Sequence, residues 1–205
     1  MAKAATQQFL EIEKIKEGVT ILKDKSFRAI LSVSSLNFAL KSEDEQQAII
    51  YQFQNFLNSL DFPIEILVQS RILNIAGYLD KLRMMESKQN NELLKIQTSE
   101  YRKFITKLIA GRQILAKTFF VVVPFTLVEF PKLGEQEEEY TEEEFQRSKA
   151  QLEQRTDFIA SGLRRCGLQC SFLNSQEAIE LFWSLYHPEE SEIGYYPEIP
   201  PELTQ

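Results

Sequence analysis

The residues best suited to chemistry are few, and their spacing serves none well. Cys166 and Cys170 bracket "CGLQC", and the one histidine, His187, stands beside Pro188. A structural zinc site takes four Cys or His ligands, and this set falls short. Two buried, reduced cysteines are expected instead. No G-x-S-x-G occurs, and a single histidine beside a proline is a poor general base for either thiol. Carboxylates are abundant, but they cluster in runs of the kind that mark solvated faces and helix N-termini.

Phosphate chemistry needs glycines that let backbone N–H groups approach the anion, and usually a lysine. Of the turns that join strand to helix, "SSLNFALKS" and "QSRILN" hold no glycine. The third ends in "LGEQEEEYTEEE", whose carboxylates would repel a phosphate. Neither G-x-x-x-x-G-K-[ST] nor G-x-G-x-x-G occurs, and "AGRQILAK" lacks the spacing and the second glycine. No catalytic, cofactor-binding or metal-ligating residue is assigned, and a non-enzymatic chain is expected.

Charge narrows the partners. The net charge is −7, so binding to nucleic acid would need a local basic face to neutralise phosphates. The candidate is "YRKFITKLIAGRQILAK", with Arg102, Lys103, Lys107, Arg112 and Lys117 and no acid. The plainer reading is the solvated side of a helix whose other side is Phe104, Ile105 and Leu108, because no aromatic platform interleaves with the basic residues. Nucleic acid is therefore not the expected partner. The start of the chain has no apolar signal region, and the longest apolar stretches fall short of the ~20 residues of a membrane span. A cytoplasmic protein is expected, reaching a membrane only through partners.

The elements that must position these residues follow from pattern. The chain has 205 residues, 43% apolar and 26% charged, enough to bury a core without disulfide or metal. Phe9–Ile15 alternates moderately. Val19–Leu22 and Phe27–Val33, with a turn at Asp24-Lys25, predict a β-hairpin. "SEDE" at Ser42–Glu45 is a capping box, opening a helix to about Leu60 with Ile49, Phe53, Phe56, Leu57 and Leu60 on one face. Pro63 leads into a strand at Ile64–Leu73, whose apolar run Ile64–Val68 reads as buried. Asn74 can cap a second helical stretch to about Ala110. Its apolar stripe (Leu79, Leu82, Met85, then Leu93, Ile96, Tyr101, Phe104, Ile105, Leu108) is interrupted by "ESKQNNE". An unbroken helix would be about 54 Å long, too long for a small domain to cover, so a helical hairpin or a projecting helix is expected.

"KTFFVVVPF" predicts a central strand with Pro124 near its end. Thr141 with Glu144 repeats the capping-box spacing, and the following helix carries Phe145, Leu152, Thr156, Ile159 and Leu163 on one side. It should stop at a C′ glycine, Gly167. "LQCSFL" is a short strand, and a last helix has Ile179, Phe182, Trp183 and Tyr186 at helical spacing. The expected fold is α+β, one mixed sheet in the order ββαβαβαβα, as a single domain over 1–187. Beyond it, 188–205 reads as an acidic, proline-rich tail or linker, in which Tyr195, Tyr196 and Ile199 could dock.

The stretches "LSVSSLNFALKSEDEQ", "FQNFLNSLDFPIEILVQSR", "FFVVVPF" and "GLRRCGLQCSFLNSQEAIELFWSLYHP" form a pattern over Thr6–Pro188. It resembles the N-terminal domain of TraC-type conjugative transfer ATPases, the VirB-class motor of type IV secretion. In that family the region precedes a P-loop ATPase, and the resemblance implies docking to the membrane-embedded apparatus and motor assembly. No Walker motif occurs in these residues, so no catalytic residue is carried over.

The expectation is thus an adaptor whose partners are a P-loop transfer ATPase or inner-membrane secretion components, with homo-oligomerisation left open. The candidate partner-binding residues are Glu86 and Glu92, in the polar middle of the long helical stretch, and Glu137, Glu138 and Glu139 in the acidic run Glu135–Glu144. For both segments the plainer reading is solvated surface. The rival reading is a single-stranded-DNA-handling accessory protein using Arg102, Lys103, Lys107 and Arg112.

Overall fold

Three short strands open the chain: β1 (Ile12–Lys16), β2 (Val19–Leu22) and β3 (Phe27–Val33). They form an antiparallel meander, one strand more than the expected hairpin. The β1–β2 turn is Glu17-Gly18, both at positive φ (50° and 78°), the two-residue geometry that matches strand twist. A side chain at Gly18 would also press on the Phe172 ring and the Leu173 carbonyl. Glycine is therefore required twice over at this position.

The computed structural model describes residues 11–72, 76–109, 115–126, 141–188 and 190. After the meander come α1 (Glu43–Asn58), β4 (Glu65–Ile72), α2 (Ala76–Lys88), α3 (Glu92–Ile109), β5 (Leu115–Phe125), α4 (Glu142–Arg165), β6 (Cys170–Phe172) and α5 (Ser175–Tyr186). The strand order is β1-β2-β3-β5-β4, with β6 also pairing with β3. The class is α+β, as expected. The sheet is antiparallel where the sequence reading has a mixed one. The reason is that β3 pairs with β5 and β6, neither of which follows it directly in the chain. Alternation of strand and helix does not dictate direction between such partners.

Contacts divide the chain into two units. In the first, built from Met1–Val68 and Thr118–Leu185 with the 197–205 segment, the sheet separates two cores. Val19, Ile21, Phe27, Ala29, Leu31, Val33, Val121 and Val123 face Phe56 of α1 and Phe145, Leu152, Ile159, Ala160 and Leu163 of α4. Ile30 and Phe120, on alternate positions, join Leu173 and Leu181 of the α5 side. The period of two along β3 and β5 thus sends successive residues to opposite cores.

Both capping boxes form. Ser42 Oγ accepts from the Glu45 N–H and Thr141 Oγ1 from that of Glu144, each glutamate reaching back to the cap N–H. Gly167 sits at φ 85°. The Gly167 N–H donates to Arg164 and that of Leu168 to Leu163, the paired bonds of a Schellman C-terminus. The face read for α4 is buried as expected. Pro124 lies one residue from the end of β5, and its carbonyl accepts from Arg155 Nη1 at 2.8 Å. The Arg155 guanidinium also lies over the rings of Phe62 and Phe125.

Three burial expectations need correction. β4 is an end strand and not a buried one, with Ile66 57% and Val68 50% exposed. On α1, Phe56 is buried while Leu57 is exposed, since the helix turns Phe56 toward Gly162 of α4. On α5 the buried face is Ala178, Leu181 and Ser184, and Tyr186 is exposed. Ile179, Phe182 and Trp183 are half-buried beside that face.

The second unit comprises Gln69–Lys117 and Tyr186–Tyr196. The long helical stretch is a hairpin, α2 and α3 joined through Gln89–Asn91. Asn91 Oδ1 accepts from the N–H groups of Leu93 and Leu94 (2.9 and 3.4 Å) and caps α3. The Asn74 cap and the docking tyrosines of the tail, Tyr195 and Tyr196, lie outside the described residues.

Candidate interaction surfaces

The hairpin brings together residues that the sequence reading assigns to rival surfaces. Glu86 of α2 and Arg102 of α3 form one ion pair, Nε to Oε2 at 3.2 Å, with side chains 19% and 26% exposed. Side chains on a helix tilt toward its N-terminus, so each of the two leans along the hairpin toward the other. Both are thereby engaged in closing the hairpin. Lys103 and Lys107 remain exposed on α3, and Glu92 is exposed in its first turn, where a negative charge suits the helix dipole. Arg112, Glu137, Glu138 and Glu139 lie outside the described residues.

The apolar stripe of the same hairpin is what sequence reasoning misplaces. Leu82 is buried, but Met85, Leu93, Ile96, Tyr101, Phe104 and Leu108 are exposed. The Tyr78 and Tyr101 hydroxyls meet at 3.3 Å, and that bond raises the Tyr78 pKa above its ordinary value. Helical periodicity finds the stripe correctly; only the tertiary structure tells that these side chains are exposed among the described residues.

The described end of the acidic run, Thr141–Glu144, is structurally committed. Glu142 holds Lys16 at 2.6 Å, and Lys16 in turn lies 4.6 Å over the Phe145 ring. Glu144 closes its capping box. The Lys16 hydrogen bond depresses the Glu142 pKa, and the Thr141 N–H does the same for Glu144. A shallow polar cleft here is lined by Glu13, Lys14, Lys16, Lys25 and Glu142, with Ile21 and Phe145. Lys25 is held by both Glu13 oxygens at 2.8 Å. Cations and anions largely neutralise each other, so the cleft has little charge left over for a ligand.

Cys166 is buried and Cys170 half-buried, both as free thiols. Burial pushes both thiols above their ordinary pKa, the opposite of nucleophile activation. Among the described residues no three His, Cys, Asp or Glu side chains gather as a metal site would require. None of their helices is long and apolar enough to cross a membrane.

The family model for the archaeal TraC-like domain matches residues 13–188. The chain belongs to that family. Neither a curated protein nor a solved structure matches it. The matched span takes in every strand and helix of the sheet unit from β2 onward, and the whole hairpin. A TraC-like domain points to a conjugation- or secretion-related protein. Within this TraC-like fold the described surface most in need of a partner is the hairpin's apolar face, since the neighbouring charged candidates are in part paired with one another.

Proposed function

We propose that this TraC-like chain is a non-catalytic interaction domain of a conjugation or type IV secretion motor. It acts as an adaptor, docking a P-loop transfer ATPase or the inner-membrane complex from the cytoplasmic side. The observation that carries the reading is the α2–α3 hairpin, which leaves large apolar side chains exposed within a family-matched domain. Exposed apolar surface of this kind marks interaction sites. Glu92, Lys103 and Lys107 border it as candidate contacts, and the 135–144 acidic run is a second candidate surface.

The test is to purify the tagged chain from its native cells and identify co-purifying proteins by mass spectrometry. Recovery of a P-loop transfer ATPase or of inner-membrane secretion components is the expected result. Recovery of nucleic acid and DNA-processing proteins alone would overturn it in favour of the basic-face reading. Charge reversal at Glu137, Glu138 and Glu139 should weaken partner recovery without unfolding the domain, and unchanged recovery would remove that run from the interface.

A further inference from the structure

We propose that the α2–α3 hairpin lies directly on an anionic lipid surface, with its apolar face inserted and its lysines at the headgroups. At 100° per residue, Leu93, Phe104, Leu108, Tyr101 and Leu94 fall within about 100° of arc on α3. All five are exposed, Leu93 at 78% and Phe104 at 58%. On α2, Tyr78 and Met85 share one arc, and Met85 is 65% exposed. The Tyr78–Tyr101 contact joins the two arcs into one face. Two helices side by side make this face broad and flat, and a bilayer is the flat occupant. On the opposite side of the hairpin lie Arg83, Ser87, Ser99 and Thr106, and the one large apolar residue of α3 exposed outside the arc is Ile96.

The charges around the face select among occupants. Lys81 and Lys88 flank it on α2 and Lys107 on α3, with Lys103 further round the helix; Glu100 and Glu92 are the acids on that side of α3, and all six are exposed. Of the hairpin's arginines, Arg102 is paired with Glu86 at 3.2 Å, and Arg83 stands 3.9 Å from Asp80 on the side away from the apolar face. Protein–protein interfaces favour arginine and are depleted in lysine. A lysine rim around Leu, Phe, Met and Tyr is the composition of an interfacial amphipathic element, whose lysine stems lie along the apolar zone while the ammonium groups reach the phosphates. The hairpin, residues 76–109, carries seven Lys and Arg against four Asp and Glu, a net +3, whereas the other residues carry 16 against 26, a net −10. Attraction to an anionic surface is thus concentrated in the hairpin. It lies on the bilayer and does not span it, since neither of its helices is apolar and long enough.

This inference assigns to lipid the same apolar face that carries the adaptor reading, and the two fail separately: partner recovery without vesicle binding overturns this inference alone, and vesicle binding without partner recovery overturns the adaptor reading alone. The test is co-sedimentation of the full chain with vesicles of phosphatidylglycerol and phosphatidylcholine, against vesicles of phosphatidylcholine alone. Binding should be confined largely to the anionic vesicles and fall about tenfold or more in high salt. The Phe104→Asp/Leu108→Asp variant, checked for fold by circular dichroism, should lose it, and Lys103→Glu/Lys107→Glu should weaken it about tenfold or more. Phe104→Trp should add a blue-shifted emission on anionic vesicles, and Ser87→Trp should not. This readout keeps the test decisive should the aspartate pair disturb folding. No binding to anionic vesicles at low salt overturns the proposal, as does binding unaffected by the Phe104 and Leu108 changes. So does self-association through the same residues without lipid binding, which would make a second copy the occupant.

Discussion

Gly162 offers a sharp test of how α1 and α4 share the first core. It lies within α4, without the positive φ that would demand glycine. A Cβ built on it would stand 2.9 Å from Cε2 and 3.1 Å from Cγ of Phe56, and closer still to Cδ2. Phe56 is the buried anchor of α1 and packs on Phe53 with ring centroids 6.0 Å apart, so the ring cannot yield freely. Two effects oppose each other in Gly162→Ala. Alanine in a helix interior gains about 1 kcal/mol over glycine, while forcing a carbon into a packed contact costs about 1–3 kcal/mol. The clash should win by about 1 kcal/mol, lowering Tm by about 2–4 °C for a chain of this size. Phe56→Ala alone should cost about 3–5 kcal/mol. In that background the clash is gone, so Gly162→Ala should change sign and stabilise by about 1 kcal/mol. Urea denaturation of all four proteins gives the coupling energy, expected near 2 kcal/mol. Additivity within about 0.5 kcal/mol, or a Gly162→Ala chain at least as stable as the parent, would refute close α1–α4 packing at this point.

Other consequences are simpler. Gly167→Ala has open space for its Cβ, so its cost, about 1–2 kcal/mol by urea denaturation, should come from the left-handed backbone alone. Thr141→Ala should cost about 0.5–2 kcal/mol as the α4 cap is lost. Leu82→Ala should lower amide-exchange protection across 76–109 while leaving the α4 amides protected, because Leu82 is the one buried residue among those described in the hairpin. Stability should also fall with acid. Glu17, held by Lys149, and Glu45, held by the Ser42 N–H, titrate below their ordinary 4.5 in the folded chain, as do Glu142 and Glu144. Such groups stabilise above 4.5 and lose that contribution as pH drops through their folded values. Lys149 is raised by Glu17 from its ordinary 10.5, so its contribution holds below 10.5 and is lost as pH rises past the folded value. A urea midpoint that stays constant from pH 6 down to pH 3 would contradict the carboxylate pairings.

What could be read from the sequence and what could not divides along a physical line. The two capping boxes and the Gly167 stop depend on residues three or four apart, so "SEDE", "TEEE" and "RCGL" carry their whole cause within one turn. The buried face of α4 was equally legible, because Phe145, Leu152, Thr156, Ile159 and Leu163 repeat at one period and meet a sheet that needs covering. Burial elsewhere depends on what lies opposite, and no local pattern carries that. "IEILV" at 64–68 has the composition of a buried strand, yet β4 stands at the end of the sheet. The break at Gln89–Asn91 was visible as a polar gap, but the partnership of Glu86 with Arg102 was not, since it spans 16 positions and two helices. The stripe from Leu79 to Leu108 is the instructive case. A period of 3.6 says that an apolar face exists and that leaving it in water costs free energy. It does not say that the covering surface belongs to the same chain. Here Leu82 is covered from within and Met85, Leu93, Phe104 and Leu108 are not. A stripe of this length persisting on an exposed hairpin therefore points outward, and its lysine rim favours lipid over protein as the surface that completes it.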